Sequence, residues 1–198
     1  MSISQSIRES MEKGSWIRQM FEAGARLKAE HGAENVFDFS LGNPILEPPK
    51  QVHEQLRLLL DNPEDGMHRY MPNAGFEETR EFIAGVMRDE TGHPFSSQDV
   101  VMCVGAGGGL NVVFKALLEA GDEVLALTPY FVEYGAYVQN HGGRLTLAQT
   151  TAEFQPDLDS IETSLSEQTK IVIINSPNNP TGAVYSQQTL DELAELLL

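Results

Sequence analysis

The sequence predicts an α/β protein, in which an N-terminal helical arm precedes a mainly parallel sheet with helices on both faces. Three observations support this prediction. Residues 1 to about 33 contain an apolar stripe of helical spacing, and from Asp99 onward short apolar runs alternate with amphipathic segments. Turns rich in glycine or proline separate these segments. Alternation of strand-like and helix-like segments is typical of parallel sheets, because each parallel connection needs a crossover.

The first hundred residues contain three segments of helical period and one short strand at residues 36–40. An amphipathic helix is recognised by apolar residues that recur every three or four positions. The apolar positions of the three helices are Ile17, Met20 and Phe21; Val52, Leu56, Leu59 and Leu60; and Phe76, Phe82, Ile83, Val86 and Met87.

The remaining chain alternates strands with helices. The predicted strands are residues 100–104, 123–127, 144–148 and 171–174. The predicted helices follow the glycines of residues 105–109, span 130–141 and 158–165, and begin again near Leu190. The chain ends inside this last apolar stripe, and since a parallel sheet normally continues with further strands, we expect a longer protein.

Composition limits the classes of partner and site. The 198 residues carry 29 acidic and 13 basic side chains, a formal net charge of -16, which disfavours nucleic acid and anionic membranes as partners. Cys103 is the only cysteine, so we expect a buried, inert thiol, no disulfide framework and no metal site. Neither a signal peptide nor a membrane span is visible, and a cytoplasmic protein is the expectation.

A glycine-rich segment joins the strand at 100–104 to the following helix. Residues 104–110 read Val-Gly-Ala-Gly-Gly-Gly-Leu. Backbone N–H groups at a helix start favour an anion, and glycine lets a ligand approach closely. The segment is neither G-x-G-x-x-G, because Leu110 takes the last position, nor a P-loop, because no Gly-Lys-Ser/Thr follows. A structural turn and a phosphate site are both open interpretations of these residues alone.

The most specific motif follows the apolar strand at 171–174. Residues 175–182 read Asn-Ser-Pro-Asn-Asn-Pro-Thr-Gly, and they hold side-chain amides at the carboxyl end of a strand, where open α/β sheets bind ligands. This run resembles the signature of the aminotransferase class I/II family, the fold-type I pyridoxal-phosphate enzymes. Three weaker motifs occur in the family's order, at Gly42, at residues 70–75 and at residues 105–110.

The resemblance implies roles for the cofactor-binding residues. Pyridoxal 5'-phosphate would place its phosphate on the N–H groups of Gly105, Ala106 and Gly107. Phe131 would stack on the pyridine ring, although an isolated aromatic of this kind is more often a core residue. Asn179 would donate a hydrogen bond to the cofactor's phenolic oxygen, and we interpret Asn178 as a turn former.

Two further residues and the assembly follow from the same resemblance. Tyr70 would reach the phosphate bound by a neighbouring subunit, which implies a homodimer, and Gly42 would border the substrate carboxylate. Residues 1–47 would form an arm and a small-domain segment, and residues 48–198 the first part of the large cofactor-binding domain. The bonds Thr128–Pro129 and Asn179–Pro180 match proline bonds that are often cis in this family.

The implied reaction moves an amino group between an amino acid and a 2-oxo acid by a ping-pong mechanism. The lysines of the chain do not stand in the family's Ser-x-x-Lys setting; they are Lys13, Lys28, Lys50, Lys115 and Lys170. We therefore expect the Schiff-base lysine beyond Leu198, and we expect the 198-residue chain alone to be inactive.

Three other functions compete with this prediction. The same scaffold serves carbon–sulfur lyases and decarboxylases that use the same cofactor. A non-catalytic, aminotransferase-like ligand-binding domain is the second alternative, although the acidic balance argues against a DNA-binding regulator. A dinucleotide-binding domain is the third. It is disfavoured because Glu123 begins its strand, whereas a ribose-binding acid would end it.

Overall fold

The computed structural model describes residues 3–13, 15–39, 42 and 46–198. The chain forms two compact units, Met1–Arg69 and Tyr70–Leu198. The predicted domain boundary between residues 47 and 48 stays a prediction.

The first unit is helical. It contains α1 (Gln5–Lys13), α2 (Ser15–His31), a 3-10 turn at Ala33–Asn35, and α3 (Lys50–Asp61). The predicted arm and the following helix are therefore confirmed. The ammonium group of Lys28 in α2 pairs at 2.7 Å with the carboxylate of Asp38, which follows the 3-10 turn.

The strand predicted at residues 36–40 is wrong over residues 36–39, which have no regular secondary structure, and Ser40 lies outside the described residues. Phe37 and Phe39 are 83% and 93% exposed. Alternating apolar residues satisfy only one condition for a strand. The other is a neighbouring chain that takes up the backbone N–H and C=O groups, and described residues 36–39 pair with no other strand.

The second unit contains a three-stranded parallel sheet. Its strands are β1 (Glu123–Leu127), β2 (Arg144–Ala148) and β3 (Thr169–Ile173), in the order β2-β1-β3. Leu125 at the centre of β1 lies opposite Thr146 on β2 and Val172 on β3. The predicted parallel sheet is confirmed, and β1 forms its centre with all five residues buried.

Helices cover both faces of this sheet. The helices of the unit are α4 (Glu77–Thr91), α5 (Gly105–Leu117), α6 (Tyr134–Asn140), α7 (Leu158–Ser164) and α8 (Gln187–Leu197). Because side chains alternate along a strand, Val124 and Ala126 face one core cluster while Leu125 and Leu127 face the other. The first cluster contains Phe114 of α5 and Val138 of α6, and the second contains Ile161, Tyr185 and Leu193.

The helix predicted at residues 130–141 starts later than expected, at Tyr134. Residues 128–133 form a turn at the carboxyl end of β1, in which the Tyr134 N–H donates to the Phe131 carbonyl at 3.0 Å. Apolar spacing cannot reveal such a turn, because its aromatic residues fit a helical stripe equally well.

The strand predicted at residues 100–104 is absent. Val101 and Val104 are 57% and 94% exposed, and the Met102 N–H donates to the Ala74 carbonyl, outside the sheet. Cys103 is exposed, so the expected buried thiol is also wrong. An apolar run becomes a buried strand only where a neighbour pairs with it, and within the part of the chain described here no strand pairs with residues 100–104.

A buried carboxylate ties the amino ends of the sheet together. The Glu123 side chain, 4% exposed, accepts hydrogen bonds from the Arg144 guanidinium opposite it and from the Ser166 hydroxyl at 2.9 Å. A buried charge costs several kcal/mol when it loses its partner. Arg144 therefore neutralises the buried Glu123 carboxylate at the amino end of β1.

We expect Arg144→Met to lower the free energy of unfolding by about 2 kcal/mol, because a buried carboxylate would keep only one hydrogen bond. Glu123→Gln in the same chain removes the unpaired charge, so the double variant should recover more than half of this loss. Urea unfolding monitored by circular dichroism measures both values. A loss for Arg144→Met that Glu123→Gln deepens would contradict the role of the charge.

Candidate active site

The carboxyl ends of β1 and β3 meet at one edge of the sheet, because the two strands are parallel. Phe131 follows β1 and Asn179 follows β3, so both belong to the loops at this edge. Open α/β sheets bind their ligands at such an edge. Both residues and the glycine-rich segment lie in the second unit.

The glycine-rich segment is the first turn of α5, which starts at Gly105. No side chain caps this helix, and the first intrahelical bond runs from the Gly108 N–H to the Val104 carbonyl at 3.3 Å. Helical geometry leaves the preceding N–H groups, those of Gly105, Ala106 and Gly107, without an intrahelical acceptor. Together with the helix dipole they form a site whose chemistry fits a phosphate group.

Position 105 requires glycine, because its φ of 67° lies in the left-handed region that other residues rarely adopt. The turn itself contains no Ser, Thr or Lys side chain. Any anion held here is therefore bound by the backbone. The cradle fits the phosphate of pyridoxal phosphate without a charged partner from the turn.

Phe131 packs at the rim of the first core cluster. Its ring is half-buried and meets the Tyr134 ring edge-on, with the centroids 5.6 Å apart and an angle of 80° between the planes. Tyr134 also stacks with Tyr130 at 6.4 Å and 17°. Burial raises the pKa of Tyr134. Phe131 therefore has one side fixed by the core, and its stacking role stays a prediction.

The two asparagines in the turn after β3, Asn178 and Asn179, differ in burial and in their contacts. Asn178 is buried: its Oδ1 accepts from the Thr181 hydroxyl at 2.9 Å and its Nδ2 donates to the Tyr185 hydroxyl at 3.4 Å. The Asn178 N–H and C=O groups bond to Ala183 and Gly182. These contacts agree with the prediction that Asn178 forms the turn.

Asn179 is exposed, and its backbone N–H donates to Asn175 Oδ1 at 2.9 Å. The Asn175 side chain also donates to the Pro177 carbonyl at 3.1 Å, so it braces the turn from inside. Sequence reasoning missed Asn175 and Tyr185 as supports, although the run of amides around the prolines was a signal for the first. Burial raises the pKa of Tyr185, although its hydrogen bond with Asn178 acts in the opposite direction.

Three proline bonds lie in the two loops of this edge. Thr128–Pro129 and Asn179–Pro180 are cis, as expected, and so is Ser176–Pro177.

The roles predicted for Tyr70 and Gly42 are not tested by the geometry of the second unit. Tyr70 begins the second unit, and its side chain is fully exposed. Gly42 lies in the first unit and is exposed, and its neighbours at residues 41 and 43–45 lie outside the described part of the chain. Their predicted roles, in a neighbouring subunit's site and beside the substrate carboxylate, stay predictions.

The second unit contains two lysines, Lys115 and Lys170. Lys115 is on the last turn of α5, roughly 15 Å along the helix axis from Gly105. Lys170 is the second residue of β3 and therefore belongs to the amino half of that strand. Both side chains are exposed.

Among the described residues, no helix is long and apolar enough to cross a membrane. In the same part of the chain, the His, Cys, Asp and Glu side chains form no group of three that could hold a metal ion.

Comparison with known proteins decides the family. The family model for aminotransferase class I and II matches residues 34–198. The chain belongs to the aminotransferase class I and II family. This family is generally dependent on pyridoxal phosphate, and the proteins similar to this chain are named as aminotransferases.

The relatives include aminotransferases from bacteria and archaea. An aspartate/prephenate aminotransferase of Thermus thermophilus is 38% identical over 78% of this chain and 40% of the relative. A probable aspartate aminotransferase of Methanocaldococcus jannaschii is 30% identical over 93% of this chain and 46% of the relative. The chain thus spans less than half the length of these curated relatives.

Solved structures confirm the fold. An aminotransferase from Eubacterium rectale superimposes with a TM-score of 0.92 at 37% identity, over all of this chain and 50% of the other. The aspartate aminotransferase from Thermus thermophilus with maleate gives a TM-score of 0.83 at 31% identity, over 99% of this chain and 50% of the other. The α/β architecture described here is therefore the aminotransferase fold over about half of its length.

Proposed function

We propose that this chain forms the phosphate-binding part of a pyridoxal-phosphate-dependent aminotransferase, which moves an amino group between an amino acid and a 2-oxo acid by a ping-pong mechanism. The uncapped first turn of α5, whose Gly107 lies against Tyr137 of α6, the helix that follows β1, is the observation that carries the proposal. Family membership supplies the cofactor, which when bound draws electrons from the substrate Cα and so allows its proton to leave.

Each residue at the edge takes one task under this proposal. The N–H groups of Gly105, Ala106 and Gly107 hold the phosphate. Phe131 packs against the ring and excludes water from one of its faces. Asn179 has an exposed amide on a braced turn, so it can donate to the cofactor's phenolic oxygen without breaking a contact within the described chain.

The proposal extends to the substrate and the assembly. Relatives named for aspartate, and a neighbouring structure with maleate, favour a dicarboxylic amino acid as the substrate of the whole protein. Gly42 would border its carboxylate. The fully exposed Tyr70 suits a contact with a neighbouring subunit's phosphate, in keeping with a homodimer. We expect the whole protein to be cytoplasmic.

Isothermal titration of the 198-residue chain with pyridoxal phosphate and with pyridoxal tests the proposed site. We expect the phosphorylated compound to bind at least about tenfold more tightly, because hydrogen bonds to charged groups contribute about 1.5–3 kcal/mol. Equal affinities for the two compounds would show that the first turn of α5 does not bind phosphate.

Borohydride reduction with pyridoxal phosphate, followed by peptide mapping, tests the absence of the cofactor-binding lysine. We expect no stoichiometric adduct on any of the five lysines. Lys28 is engaged with Asp38, Lys115 is roughly 15 Å along α5 from Gly105, and Lys170 lies in the amino half of β3. For the same reason, assays of the chain alone with aspartate and 2-oxoglutarate should show no turnover. One fully modified lysine within residues 1–198, or turnover, would contradict this placement.

A further inference from the structure

Tyr137 of α6 fills the space where a side chain at position 107 would lie. A Cβ atom at Gly107 would be 2.9 Å from the Tyr137 hydroxyl oxygen, 3.4 Å from Cζ and 3.7 Å from Cε2. Real Cβ atoms essentially never come closer than 3.0 Å to another atom. The hydroxyl end of the Tyr137 ring therefore lies directly against the backbone of the turn, and a side chain at position 107 would require the ring to shift.

Glu133 holds the ring in this place. The Tyr137 hydroxyl donates a hydrogen bond to the Glu133 carboxylate, one helical turn earlier. This hydrogen bond is the largest cause that raises the pKa of Tyr137, so the hydroxyl stays a donor at neutral pH. The ring itself packs against the first core cluster. Glu133 comes two residues after Phe131, so the contact also joins the aromatic turn to the phosphate turn.

A second contact also reaches Gly107, and it runs from the end of α6 through Asn111 of α5. Asn111 Nδ2 donates to the Gly107 carbonyl at 2.8 Å, and Asn111 Oδ1 lies 3.0 Å from Nε2 of His141, the residue that directly follows α6. Contacts with α6 thus fix the first turn of α5 at two points.

These contacts matter because the first turn of α5 lacks rigid residues and polar side chains. Four of its first five residues are glycines, which make a helix start flexible, and none of the five carries a polar side chain. The affinity for an anion then depends on how well the backbone N–H groups are preorganised.

We propose that Tyr137 is a positioning residue that fixes the first turn of α5 in its phosphate-binding conformation, with Glu133 as its anchor. This inference rests on the proposed function, because it assumes that the turn binds the cofactor phosphate. It adds a residue on α6 that the motifs of the sequence do not contain.

The test uses the ¹⁵N-labelled 198-residue chain and follows the amide resonances of Gly105, Ala106 and Gly107 during titration with pyridoxal phosphate. Tyr137→Ala should weaken binding about tenfold and Tyr137→Phe about threefold, since the second variant keeps the ring. Gly107→Ala alone should also weaken binding about tenfold, because its methyl group meets the ring. In the double variant the two losses should not add. Pyridoxal, which has no phosphate, is the control ligand, and its affinity should stay the same in every variant.

The outcomes separate the two proposals. If the three resonances of the unmodified chain do not respond to pyridoxal phosphate, the phosphate site itself is wrong, and the role of Tyr137 is overturned with it. If they respond but Tyr137→Ala binds as tightly as the unmodified chain, the site stands and the positioning role is wrong. Should Tyr137→Ala fail to fold, Tyr137→Phe and Glu133→Gln keep the packed ring, and unchanged affinity in both would overturn the inference.

Discussion

Replacement of Ala106 by glutamate should weaken pyridoxal phosphate binding about 100-fold, because a carboxylate would then face the bound phosphate at close range; this equals about 2.7 kcal/mol. Ala106 is the central residue of the candidate turn, and its side chain is exposed, so a longer side chain fits without disturbing the core. Its N–H group remains in place. The substitution therefore changes the charge at the site and leaves the backbone donors intact.

The same substitution should leave the fold intact or slightly stabilise it. A negative charge in the first turn of a helix interacts favourably with the helix dipole, by about 0.3–1 kcal/mol, and this roughly offsets the loss of alanine's helix propensity. The first turn of α5 has no acidic residue and no side-chain cap of its own. Affinity should thus fall while stability stays the same or rises slightly, which a general structural defect would not produce.

Calorimetric titration with pyridoxal phosphate and thermal unfolding of the same samples measure the two effects. Ala106→Gln is the matched control, since it has the same shape without the charge, and its affinity should stay within about threefold of the unmodified chain. Added salt should reduce the difference between the two variants, because the turn is exposed to solvent. If glutamate and glutamine behave alike, no phosphate binds near position 106.

Phe114→Ala should lower the free energy of unfolding by about 3–5 kcal/mol, the usual effect of deleting a buried aromatic ring. Phe114 is completely buried on α5 and packs with Val124 and Ala126 of the central strand. A loss of this size is a large share of the total stability of a typical domain, about 5–15 kcal/mol. Because α5 begins with the candidate phosphate turn, this packing would also anchor the proposed site.

Val113→Ala is the neighbouring control. Val113 lies on the same helix but is 43% exposed, so its truncation should cost about 1 kcal/mol or less. Urea unfolding curves with equal slopes would give both values directly. Equal losses for the two variants would mean that Phe114 does not anchor α5 to the sheet.

Local patterns determined most of the second unit. The strands at Glu123–Leu127 and Arg144–Ala148 and the helix at Leu158–Ser164 lie where the sequence predicts them, because each combines one clear period with strong turn residues. The run at residues 175–182 pointed to the ligand edge and to the family. In this run the amide groups and prolines are close in sequence, so no distant contact is needed to recognise them.

Residues 36–39 and 100–104 show where local patterns fail. Both are apolar enough for a strand, yet Phe39 and Val104 are more than 90% exposed. Whether an apolar run pairs depends on a neighbour that is distant in sequence. The same holds for Cys103, whose burial was inferred from the predicted strand alone.

The sequence by itself determined the order of strands and helices, the parallel sheet and the chemical character of the turns, because these depend on residues that are neighbours in the chain. Only the tertiary structure decided that the glycine-rich segment is the first turn of α5, and that Tyr137 and Asn111 contact Gly107 from α6 and α5. Contacts between residues 30 positions apart, such as Gly107 with Tyr137, have no signature in a local pattern. They arise from the packing of two helices on one face of the sheet.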